Sequence, residues 1–77
     1  MSKRTDLLLE LEALDRDWSQ AEIALDEAQQ DYDYCLEIDD KAGALHALED
    51  IEHFSAYSYK IEQAMFAIEN KLENLDE

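Results

Sequence analysis

Two apolar runs with heptad spacing occupy almost the whole chain and dictate what it can fold into. The first steps by four and three through Leu7, Leu11, Leu14, Trp18, Ala21, Leu25, Ala28, Tyr32 and Cys35, with no charged member. The second runs through Ala44, Ala47, Ile51, Phe54, Ser58, Ile61, Met65, Ile68, Leu72 and Leu75, with Ser58 its sole polar member. Residues so spaced share one stripe of an α-helix, the a/d pattern of a coiled-coil interface. Breakers are almost absent: there is no Pro and one Gly in 77 residues. Inside a helix these residues cost about 3 and about 1 kcal/mol, so their scarcity permits long uninterrupted helices.

Turn chemistry appears once, in Asp39-Asp40-Lys41-Ala42-Gly43. Asp39 or Asp40 is suited to cap a following helix, and Gly43 falls either in the turn or in the first turn of that helix. The expectation is an all-α antiparallel two-helix hairpin, coiled-coil-like, filling residues 1–77 as a single domain. Helix 1 spans about 5–38, the turn about 39–43, and helix 2 about 41–75. A short connection makes the helices neighbours, and residues that face each other then have numbers adding to about 80. Trp18 falls over the Ser58–Ile61 region, where Ser58 leaves room for the indole.

A hairpin buries one stripe per helix, so apolar residues off the stripes need another explanation. Leu8, Leu9, Ile23, Tyr34 and Leu36 lie off the first, and Leu45, Leu48, Tyr59 and Phe66 off the second. Small scaffolds gain stability from extra core, which favours burial of this set against a second copy, a homodimer forming a four-helix bundle. Leu45, Leu48, Tyr59, Phe66, Tyr34 and Ile23 are the expected contacts. The alternative is a face that docks a different partner on a monomer.

Six Lys and Arg against 21 Asp and Glu give a net charge of −15. That balance opposes direct binding of nucleic acid or an anionic membrane, and favours a basic protein partner. No apolar run approaches the ~20 residues of a membrane span. The first leucines are followed at once by Glu10, unlike a signal peptide. With Cys35 the single cysteine, the expected setting is the reducing cytoplasm.

The acidity does little for helix stability. Glu12–Arg16 has favourable i, i+4 spacing, and Glu37–Lys41 has it only if helix 1 reaches that far, whereas Lys60 and Lys71 have no acidic residue three or four positions away. Like-charge pairs are commoner, among them Asp6–Glu10, Glu22–Asp26, Glu27–Asp31, Asp33–Glu37 and Glu69–Glu73. A helix of about 35 residues is ~52 Å long, so fifteen net charges would fall one per ~3.5 Å, close to the ~3.4 Å between phosphates of one DNA strand.

Catalysis has little to draw on. The two histidines, His46 and His53, stand near no nucleophile and no glycine-rich phosphate loop, so no catalytic residues and no cofactor are expected. Cys35, on the seam, reads as a structural thiol. His46, Glu49, Asp50 and His53 share a helical face at spacings that can ligate a metal, but a solvated polar face is the weightier reading.

In size and composition the chain resembles the small acidic inhibitors of phages and mobile elements, which include DNA mimics; no motif carries the resemblance further. Two functions follow as expectations. One is a non-enzymatic inhibitor or regulator occupying the basic, nucleic-acid-binding surface of another protein through Asp15, Asp17, Glu22, Asp26, Asp31, Glu62, Glu69 and Glu73. The other is a structural or assembly protein acting through its apolar face.

Overall fold

The computed structural model describes residues 2–75 as two α-helices packed side by side, α1 (Lys3–Glu37) and α2 (Lys41–Glu73). The hairpin is a rod measuring 59 × 15 × 12 Å, with a Cα radius of gyration of 17.4 Å. A globular chain of this length would have a radius of about 11.5 Å. Length replaces thickness because each helix has only one wet-to-dry boundary to satisfy.

Caps explain where the helices begin and end. α1 starts at Lys3, two residues before the expected Thr5, because Ser2 is extended and its Oγ accepts the Thr5 backbone N–H at 3.1 Å. It stops at Glu37, where Asp39 turns into the left-handed region with φ 59°. The Asp39 N–H then donates to the Leu36 carbonyl at 3.2 Å and the Asp40 N–H to the Cys35 carbonyl at 2.8 Å. These are the paired bonds of a Schellman C-cap, satisfying carbonyls that α1 would leave orphaned. Asp40 serves both helices, since its Oδ1 accepts the Gly43 N–H at 3.0 Å and caps α2.

The connection is therefore the tight Ile38-Asp39-Asp40 turn, and Gly43 lies inside the first turn of α2. A Cβ there would sit 2.5 Å from Asp40 Oδ2 and 2.8 Å from the Cys35 sulfur. Glycine lets the cap and the thiol close over the start of α2. At the other end α2 stops at Glu73, short of the expected Leu75. Asn74 holds it there, its Nδ2 donating to the Asn70 carbonyl at 2.9 Å.

Every residue of both seams is buried or half-buried. The enclosed set is small: Ala21, Ala28, Ala44, Ala47, Ser58, Ile61 and Ile68. Among the described residues no large side chain is fully enclosed. Two helices close most readily over short side chains and the odd isoleucine, and the bulkiest side chains need a third wall. Trp18, Leu14, Phe54 and Met65 accordingly stay half-buried.

The expected register holds. Trp18 Nε1 donates to Glu62 Oε1 at 3.0 Å, and Ser58 Oγ donates to Glu22 Oε2 at 2.8 Å; in each pair the residue numbers add to 80. Among the described residues, no helix is long and apolar enough to cross a membrane.

Candidate partner-binding face

The helical period sorts the surface into two flanks. On one flank, a groove between the helices is lined by Asp15, Trp18, Glu62, Met65, Phe66 and Glu69. It continues toward the free ends past Leu8, Leu11 and Glu12. Near the turn the same flank carries Tyr32, Leu36, Lys41, Ala44, Leu45 and Leu48. The opposite flank differs in character, its groove lined by Glu10, Ala13, Leu14, Ala64, Ala67, Ile68 and Lys71.

The fold brings most of the sequence-predicted contacts onto the first flank. Leu45, Leu48, Tyr59 and Phe66 lie there by helical phase, and they are exposed by 61%, 37%, 62% and 62%. Tyr34 and Ile23 are equally open, but Tyr34 belongs to the opposite flank and Ile23 to the back of α1. Of the acidic candidates, Asp15, Glu22, Asp26, Glu62, Glu69 and Glu73 share the first flank, whereas Asp17 and Asp31 project from the other. The apolar stripe and most of the carboxylates thus occupy one surface.

Two of these carboxylates also hold the hairpin together. Glu62 takes the Trp18 indole N–H, and Glu22 takes the buried Ser58 hydroxyl. The reason lies in the seam: an indole N–H and a hydroxyl at a/d positions need acceptors, and the flanking carboxylates are one step away. Ser58 is enclosed, so its bond satisfies a donor that water reaches poorly, whereas the Trp18–Glu62 bond lies at the exposed edge of the seam. The sequence signal for these pairs was a polar-tipped residue in each seam with a Glu at the facing position.

The His46, Glu49, Asp50, His53 face has little convergence. His46 Nε2 stands 3.9 Å from Asp50 Oδ2, and the His53 ring meets Phe54 edge-on with centroids 5.2 Å apart. Among the described residues no three His, Cys, Asp or Glu side chains gather as a metal-ligand set. The Cys35 thiol is pushed above its ordinary value by desolvation, and further by the nearby charges of Asp40 and Asp31. An uncharged thiol beside two carboxylates is a poor nucleophile.

Leaving aside Asp76 and Glu77, thirteen net negative charges lie along the 59 Å rod, one per about 4.5 Å. That is looser than the ~3.4 Å of one DNA strand but of the same order. No protein-family model matches this chain, and no curated protein or solved structure is significantly similar to it.

Proposed function

We propose that the hairpin is a non-enzymatic acidic binding protein, an inhibitor or regulator in the manner of phage-borne DNA mimics, that occupies the basic nucleic-acid-binding surface of a partner protein. One observation carries this reading. The carboxylates of Asp15, Asp26, Glu69 and Glu73 stand exposed along a flank whose central groove is lined by no Lys or Arg. Charge of one sign, held on a stiff rod, steers a basic partner and competes with the polyanion that partner normally binds.

The test is a pull-down from lysate of the source organism at low and at moderate salt, followed by competition between the hairpin and duplex DNA for the captured protein. Capture should fall steeply with salt, and the hairpin should displace the duplex. A captured partner whose binding ignores ionic strength, or that holds DNA and hairpin together, would sink the reading.

The exposed Leu45, Tyr59 and Phe66 favour a second reading, a structural or assembly protein whose copies pair into a four-helix bundle. Association would then persist at high salt and be lost on Tyr59→Glu. Sedimentation over a concentration series in high salt distinguishes the two.

A further inference from the structure

We infer that the flank carrying Phe66 seats a cationic amphipathic helix of the partner protein, its apolar side on Trp18, Met65 and Phe66 and its basic residues against Asp15, Glu62 and Glu69. The inference rests on the acidic-binding reading above and specifies the shape of that partner.

Spacing is the first support. Leu45, Tyr59 and Phe66 recur at multiples of seven residues, so they form a slowly winding stripe along α2, ~32 Å long at ~1.5 Å per residue. A helix laid alongside presents its own apolar residues at the same heptad repeat, and about 21 residues of it would meet the whole stripe. Glu52 takes the vacant place between Leu45 and Tyr59, so the facing heptad of the partner calls for a cation rather than an apolar residue.

Shape is the second. Trp18 and Met65 are only half-buried because two helices leave the groove without a third wall. One more helix in that groove completes the enclosure and buries Phe66, which is 62% exposed.

Charge chooses the occupant. The rim residues Asp15, Glu62 and Glu69 line the groove with no Lys or Arg beside them. Lys71 lines the opposite groove, and Lys60 and Arg16 also lie off this flank by helical phase. A second copy would therefore bring the same carboxylates to the same rim, where they would be desolvated against like charge. A basic helix supplies the missing cations.

The probe is a synthetic helix of about 21 residues with Leu at its a and d positions, except for a Lys in the heptad that faces Glu52, and Lys elsewhere, compared with a scrambled peptide of identical composition. Binding is followed calorimetrically and by the emission of Trp18, the single tryptophan. The patterned peptide is expected to bind at least about tenfold tighter than the scrambled one at moderate salt, with a blue shift of Trp18. Phe66→Ser should weaken it by about tenfold, while Ile23→Ser on the back of α1 leaves it unchanged. Phe66 is so exposed that its loss leaves the hairpin folded, which circular dichroism checks.

Equal binding of the two peptides, or equal effects of Phe66→Ser and Ile23→Ser, overturns the helix-docking inference and leaves the acidic-binding reading standing. Failure of both peptides to bind at low salt overturns both. A dimer of the free protein that Phe66→Ser dissociates assigns the flank to a second copy and overturns the inference.

Discussion

Asp39 holds a φ of 59°, a conformation that costs an L-residue about 1–2 kcal/mol and glycine little. Its position is set by the Schellman bonds on either side, so the strain persists because the caps outweigh it. Asp39→Gly should therefore stabilise the hairpin by about 1 kcal/mol after the glycine's extra unfolded-state entropy is subtracted, read from urea denaturation. No gain would mean that the aspartate makes a compensating contribution to the turn. Four residues away, Cys35 offers a pH signature. Its thiol is held above its ordinary value of 9.0, so the folded chain keeps that proton more tightly than the unfolded one. Stability is therefore full below about pH 9 and declines as pH rises through the folded value. Comparing wild type with Cys35→Ala isolates this decline, which the variant should lack. Native Cys35 should likewise alkylate more slowly at neutral pH than the urea-unfolded chain.

At the scale of the element, each helix is legible from its own stripe and its own caps, and the seam between them is decided by side-chain size. Ser58 is 4% exposed at a point where α1 comes close, and its hydroxyl reaches Glu22. Replacing it with Leu should cost about 1–3 kcal/mol, because the extra carbons must push the helices apart. Ser58→Ala should cost no more than about 1 kcal/mol, since Glu22 then turns to water. Thermal melts of the pair check this, and a Ser58→Leu protein as stable as Ser58→Ala would contradict the close approach. The helix ends are unequal. α2 finishes with Lys71 in its last turn, which suits the dipole, whereas α1 finishes on Glu37 with no basic residue. The hydrogen-bonded turn compensates for that mismatch.

Taken as a whole, the molecule is a thin rod with a narrow core and a large unbalanced charge. Its enclosed residues are mostly alanines, which contribute little burial each. Like-charge neighbours along both helices repel one another, so the folded state is under electrostatic load. Added salt screens that load. The melting temperature should therefore rise by several degrees between low and moderate ionic strength, the scale of a gain of about 1 kcal/mol in a domain of this size. A melting temperature that falls as sodium chloride is raised would show that attractive pairs dominate instead.

What the sequence determined by itself was everything local or periodic. The a/d stripes specified two helices and the facing register, because a heptad pattern has only one dry side. Asp39-Asp40 marked the turn, because only there do residues that favour caps interrupt the stripes. The tertiary structure alone decided how surface residues group. Helical phase puts Leu45, Glu62 and Phe66 on one side of α2, but only the antiparallel approach of α1 sets Asp15 and Trp18 beside Glu62 and Phe66 in one groove. It also moved Tyr34, Ile23, Asp17 and Asp31 away from that face, and turned Glu22 and Glu62 into acceptors for Ser58 and Trp18. Those outcomes depend on which flank of one helix meets which flank of the other, a relation that no single stripe contains.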